Sequence, residues 1–372
     1  MTVEIDGSHG EGGGQILRTS LALSIITRRP LVMSNIRAGR AKPGLRRQHL
    51  TCVQAAAAMC NAELEGAAVG SQHLRFTPRE ATEATELAFD IGTAGSTTLV
   101  VQTILIPAIV TRRALRFTVE GGTHNPMAPP YDFLDRVFAP HLREMGARVE
   151  LSLERYGFVS GPPAAAPKPD RREHERANND RRRDRRDFYD AEVAERGKLA
   201  VTIEPQHCER LSHLDLTVAG PITSRHAIAL IAGLPTHVAT RELEVVRERL
   251  GFEPFECEVR ELGGGPANLL LIEIERGTMR ELVTVHGEKG LRAETVAARA
   301  SDELAAYLAA DVPVGEHLAD QLLLPLAVAG GGRFRCAAPS LHATTNIDTI
   351  HRFLEIPIRI EPDGATAVIE IG

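Results

Sequence analysis

The stretch Gly7-Ser8-His9-Gly10-Glu11-Gly12-Gly13-Gly14 stands between an alternating strand pattern, Val3 to Asp6, and a helical pattern carrying Ile16, Leu17, Leu21, Leu23 and Ile25. A second strand (Leu31 to Ile36) and a second helix (Leu45 to Met59) follow. The order then returns. Leu87 to Asp90 leads through the turn Gly92-Thr93-Ala94-Gly95-Ser96 into a helix over Thr98 to Ile109, a strand over Leu115 to Val119 and a helix over Tyr131 to Met145. A third copy opens with Leu199 to Ile203 and is interrupted for about a hundred residues. It resumes as helix Leu318 to Ala329, strand Arg333 to Ala337 and helix Thr344 to Phe353. Apolar spacing of three and four residues predicts the helices, and alternation over five or six predicts the strands. Repeated units of this kind share a core by stacking on one another.

A chain of 372 residues has length for two or three domains, and 43% hydrophobic with 25% charged residues is ordinary globular composition. Met1 to Asp6 lacks the basic start of a signal peptide and passes straight into a strand. No apolar run approaches the ~20 residues of a membrane span. The five cysteines, Cys52, Cys60, Cys208, Cys257 and Cys336, are scattered and form no Cys-x-x-Cys pair. That pattern predicts reduced thiols in a cytoplasmic protein, with neither a disulfide framework nor a zinc site. A net charge of -6 argues against indiscriminate coating of nucleic acid but permits a local basic patch.

From Pro162 to Arg196 the composition changes to a proline-rich run and then to arginines alternating with Asp and Glu. Too few apolar side chains predict a disordered loop there, since burial cannot offset chain entropy.

Four glycines in the first turn let the backbone approach a ligand, and the helix behind them offers its first amides to an anion. The turn lacks the Gly-Lys-Ser/Thr ending of a Walker loop, and Gln15 stands where a dinucleotide fingerprint needs glycine. Glu11 within it is a candidate for holding a divalent cation beside phosphates. Arg18 follows one turn later. The segment Asn35 to His49 supplies the basic patch: Arg37, Arg40 and Lys42 fall on a strand-to-helix connection broken by Pro43 and Gly44.

These residues carry a resemblance. Ile5-Asp6-Gly7, Gly10 to Arg18, Ile36 to Leu45 and Gln48-His49-Leu50 are similar to strings of RNA 3′-terminal phosphate cyclase. So are Gly92 to Ser96, Gly121-Gly122-Thr123, Asn125-Pro126, Ala128-Pro129-Pro130, Leu318-Ala319-Asp320-Gln321 and Thr345-Asn346-Ile347. Their order covers nearly the whole chain outside Pro162 to Arg196. The resemblance implies an α+β fold: a large domain of three repeated α/β units, each a small sheet with two helices like the C-terminal domain of translation initiation factor 3. A smaller α/β insert domain interrupts it. On that reading residues 1–205 and 312–372 form the large domain and 206–311 the insert, to which the strands Leu214 to Val218 and Leu269 to Ile274 and the helices Pro235 to Leu250 and Leu291 to Ala309 belong.

The family's activity implies RNA with a 3′-terminal phosphate and ATP as substrates, with Mg²⁺ or Mn²⁺. A histidine-bound AMP and an RNA(3′)pp(5′)A end would precede closure to the 2′,3′-cyclic phosphate, releasing AMP and diphosphate. The matching string Ala338 to Asn346 makes His342 the nucleophile. By the same resemblance Glu11, Gln102, Pro129, His317, Leu318, Ala319, Asp320 and Gln321 are nucleotide-contacting positions. Arg18, Arg37, Arg40 and Gln48 are RNA or phosphate contacts, and Glu11 and Asp320 are metal anchors. The chain departs from the family where Gly157-Phe158 meets the charged stretch. Glu316 and His317 stand where the family has an aromatic residue two before Leu-Ala-Asp-Gln. Asp6 is read as a cap on the glycine turn; His49, His124 and His286 are read as structural or substrate-orienting. Two other classes fit parts of the pattern: a catalytically silent relative that assists ribosome assembly, and an enolpyruvyl transferase, which has a repeat architecture and an arginine-rich cleft but no need of a covalent histidine.

Overall fold

Strand β1 (Val3–Asp6) pairs parallel with β2 (Leu31–Ser34), which pairs antiparallel with β4 (Leu74–Thr77), and β4 in turn with β3 (Glu63–Glu65). The second sheet repeats this arrangement strand for strand: β5 (Glu86–Asp90) parallel to β6 (Leu115–Gly121), then β8 (Gly197–Ile203) and β7 (Val149–Arg155) antiparallel. So does the third, with β9 (Asp215–Leu216) parallel to β14 (Gly332–Ala337), followed by β16 (Thr366–Ile371) and β15 (Ile358–Asp363). The fold is the expected α+β array of three repeated units. The computed structural model describes residues 1–158, 196–205 and 210–372. The expected disordered loop over Pro162 to Arg196 therefore lies outside the described residues, save Arg196.

Two strand assignments are corrected. Leu199 to Ile203, read as the opening of the third copy, closes the second sheet. The third copy opens instead with Asp215–Leu216, inside the segment read as part of the insert. The cause is that each unit ends in two further antiparallel strands, which a strand-helix-strand-helix repeat leaves out. A strand that completes one unit is then taken for the start of the next.

Between β9 and the Glu316–Ala329 helix the chain forms a fourth sheet, in the order β11 (Cys257–Leu262), β10 (Ile222–Ala232), β12 (Ala267–Arg276), β13 (Met279–His286). Its parallel pair is β10 with β11. The helices His237–Leu250 and Ala293–Ala310 cover one face, and a second core forms there from residues such as Ala229, Leu270, Val283, Ala297 and Leu304. Ile228, Leu230, Leu269 and Leu271, which point to the other face, belong to the main core.

In the main core the helices face one another. Helix α1 (Gly14–Thr27) packs against α2 (Arg47–Cys60), α3 (Thr97–Thr111) and the Leu341–His351 helix. Helix α3 is apolar all round and is buried along its length, as a helix at the centre of a bundle must be. No helix among the described residues is long and apolar enough to cross a membrane. Cys52, Cys60, Cys257 and Cys336 are free.

Candidate active site

The glycine turn is fixed from both sides. Asp6 Oδ1 accepts from the Ser8 N–H (2.9 Å), the Ser8 hydroxyl (2.7 Å) and the Asn35 amide (3.2 Å), so the expected cap is present. The Ser8 bonds hold the Asp6 carboxyl below its ordinary range. Gly10 and Gly12 take positive φ, 56° and 61°. A Cβ on Gly10 would stand 2.1 Å from Thr345 Oγ1, and one on Gly13 would stand 2.1 Å from a Glu11 carboxylate oxygen. Glycine thus lets the turn seat on the Leu341–His351 helix and lets Glu11 fold back over it. Thr345 Oγ1 completes the seat by accepting from the Glu11 N–H at 3.1 Å. Helix α1 begins behind Gly13 with no side chain capping its amides, which leaves a natural anion site.

His342 lies in the first turn of its helix. That helix begins at Leu341, three residues before the expected Thr344, because Ser340 caps it by accepting from the Ala343 N–H (3.3 Å). The ring is exposed, and its Nδ1 lies 2.7 Å from Gln15 Oε1. Gln15 cannot turn over freely, since its side-chain amide donates to Asp320 Oδ1. Asp320 is held in turn by the Asn346 amide, which donates to its Oδ1 and its backbone carbonyl, each at 3.1 Å. Thr19 donates to Asn346 Oδ1 at 2.8 Å. Burial raises the Asp320 carboxyl, against the pull of the Gln15 bond and the charges of His342 and Arg18. A carbonyl oxygen facing Nδ1 calls for a proton there, and in the neutral ring Nε2 then carries the lone pair.

Basic groups converge beside this network. His49 is buried and held neutral, first by burial and then by the positive fields of Arg37, Arg18, Arg46 and Arg40. Gly14 allows the approach: a Cβ there would stand 2.7 Å from His49 Nε2 and 3.0 Å from Arg18 Nη1. Arg40 pairs with Glu11 Oε1, while Glu11 Oε2 is buried without a partner among the described residues. Arg37 spends Nη1 on its own loop, donating to the Lys42 (3.0 Å) and Gly44 (2.8 Å) carbonyls. Gln48 is buried and accepts from the Ser96 N–H at 2.6 Å, tying the second unit's turn to α2.

The remaining positions fall on a second side. Exposed His317 meets buried Phe133 edge to face, with ring centroids 6.5 Å apart. The Pro129 carbonyl accepts from the Thr98 hydroxyl at 2.7 Å. Gln321 Oε1 is buried with no partner among the described residues, whereas Leu318 and Ala319 are core residues. Gln102 is half-buried on α3. His124 is structural, bonded through Nε2 to Asp132 (2.8 Å) and through Nδ1 to Thr123 (2.8 Å) and stacked on Tyr156. Among the described residues no three His, Cys, Asp or Glu side chains form a metal cluster. The unpartnered Glu11 oxygen fits a cation that takes its other ligands from phosphate. Asp320 fits less well, since its Oδ1 already accepts two hydrogen bonds.

A triple-repeat α+β protein with a glycine turn facing an exposed histidine is the class that fold and site define. A sequence model described as RNA 3′-terminal phosphate cyclase matches residues 9–360. A protein of Koribacter versatilis (strain Ellin345) named RNA 3′-terminal phosphate cyclase is 41% identical over 372 residues, spanning 100% of this chain and 95% of that one. One of the same name from Ectopseudomonas mendocina (strain ymp) is 42% identical over 358 residues, spanning 96% and 94%. The chain belongs to the RNA 3′-terminal phosphate cyclase family.

Proposed function

We propose that the protein converts an RNA 3′-terminal phosphate to a 2′,3′-cyclic phosphate at the expense of ATP, with His342 as the nucleophile. One observation carries the reading: Nδ1 of an exposed histidine lies 2.7 Å from Gln15 Oε1, an acceptor that would hold the proton there and leave Nε2 to attack. Nε2 would attack the α-phosphorus of ATP, forming a P–N bond as the bond to diphosphate breaks. An oxygen of the RNA 3′-phosphate would then attack the same phosphorus, and the P–N bond would return its electrons to His342. Attack of the neighbouring 2′-hydroxyl on the RNA phosphorus would close the ring and expel AMP, its proton leaving to solvent.

The chain's own part is orientation and charge. The uncapped amides of α1 and the guanidiniums of Arg18 and Arg40 would take phosphate oxygens, and the helix start at His342 favours the added negative charge. A divalent cation bound at Glu11 Oε2 would neutralise phosphate charge. Asp320 acts through Gln15. His317, Gln321 and Pro129 are the candidates for the base and ribose. Incubation with ATP labelled at the α-phosphate tests the reading: acid-labile label on the wild type and none on His342→Ala. A wild type that stays unlabelled under either metal would sink it.

A further inference from the structure

The Glu316–Ala329 helix carries His317, Asp320 and Gln321, and its cap residue is a glycine with no side chain to offer the first amides. Gly315 is the cap residue, with φ -71° and ψ 167°, so its backbone asks nothing special of glycine. Space does. A Cβ on Gly315 would stand 2.1 Å from Glu281 Oε2 and 2.5 Å from Glu281 Cδ. Glu281 comes from β13 of the inserted sheet, is 6% exposed, and has no hydrogen-bond partner for Oε2 among the described residues. Burial, and then the neighbouring Glu303, pushes the Glu281 carboxyl up to about 8, against the Gly315 N–H that faces it.

A buried carboxyl with one oxygen unpartnered among the described residues is costly, and its close contact with Gly315 seats it against the start of the helix. We propose that Glu281 is a positioning residue for the nucleotide: its carboxyl, seated on Gly315, fixes where the Glu316–Ala329 helix begins and so where His317, Asp320 and Gln321 stand. The inserted sheet thereby takes part in a site to which it gives no contact residue. The inference rests on the nucleotide reading of that helix given above.

The test uses the full chain and two readouts: calorimetric affinity for α,β-methylene ATP, which cannot transfer adenylate, and the ATP dependence of self-labelling. Glu281→Ala and Gly315→Ala should weaken the analogue and raise KM for ATP about tenfold, leaving the saturated labelling rate within about threefold. Glu281→Gln, which keeps shape and acceptor, should restore affinity to within about twofold of wild type. A structural role alone would lower kcat with the folded fraction and leave KM where it was. If the alanine chain does not fold by circular dichroism, Glu281→Asp takes its place, since it withdraws the carboxyl by one methylene. Unchanged affinity in the alanine or aspartate chain, or no recovery in the glutamine chain, overturns the inference alone. A wild type that neither binds the analogue nor takes up label overturns the proposed function as well.

Discussion

Gln15 Oε1 lies 2.7 Å from His342 Nδ1, and the donation of the Gln15 amide to Asp320 decides which of its two ends faces the ring. A side chain near the start of the chain therefore offers an acceptor to a ring near its end. Gln15→Leu removes the acceptor and frees the tautomer. Self-labelling should fall about 10²-fold without loss of fold, measured as the rate of label uptake at saturating ATP.

Asp320→Asn should act through the same contact. An asparagine can offer its own NH₂ to Gln15, which would then present its amide to Nδ1 and drive the proton to Nε2. The ¹⁵N resonances of His342 should move from the Nδ1–H toward the Nε2–H pattern, and labelling should drop about tenfold or more. Unmoved resonances would disprove the coupling.

Gly10→Ala meets both a positive φ and a Cβ placed 2.1 Å from Thr345 Oγ1. The expected cost is about 1–3 kcal/mol, read as a lowered Tm. Gly39→Ala is the control, because nothing lies within 4 Å of its Cβ. It should stay within about 0.5 kcal/mol of wild type.

Glu242 is fully buried on the His237–Leu250 helix, bonded through Oε2 to the Asn268 amide at 3.1 Å, and burial pushes its carboxyl up to about 7. Between 4.5 and about 7 the folded chain holds a proton that the unfolded chain has released. The group's contribution is thus complete below pH 4.5 and is lost as pH rises through about 7. Glu242→Gln should flatten this part of the profile. Relative to wild type it should gain on the order of 3 kcal/mol between pH 4.5 and 8, measured by urea unfolding. Parallel profiles would contradict the burial argument.

Chelation with EDTA should abolish labelling, and added Mg²⁺ or Mn²⁺ should restore it. In Glu11→Gln the metal concentration for half-maximal labelling should rise about tenfold or more, since Glu11 Oε2 is a buried carboxylate oxygen without a partner among the described residues. The substitution should leave thermal stability within about 1 kcal/mol, because the Arg40 pair it weakens is partly exposed.

Much of the site was legible because its residues sit at turns that break the repeat. Whereas His342 is marked only by the family likeness of the string around it, the glycine run, Glu11 and Arg40 stand out where apolar periodicity stops. Gln15, Thr19 and Asn346 did not, since each occupies a buried helical position where a polar residue reads as an irregularity until its partner on another unit is known. Arg37 shows the converse: a basic residue on a loop suggests phosphate, but its Nη1 holds the loop itself. The outermost closing strand of each unit was missed for a plainer reason. Glu63–Glu65 and Ile358–Asp363 are mostly exposed, so their alternation carries little apolar signal.

The glycine turn occurs in two of the three units and has come to two different ends. In the first it lies open beside the histidine; in the second Gln48 has claimed the Ser96 amide; in the third a whole sheet stands where the turn would be. Internal likeness therefore does not multiply the chemistry. A molecule built three times over should accept a single adenylate, and the stoichiometry of the first turnover should be one per polypeptide.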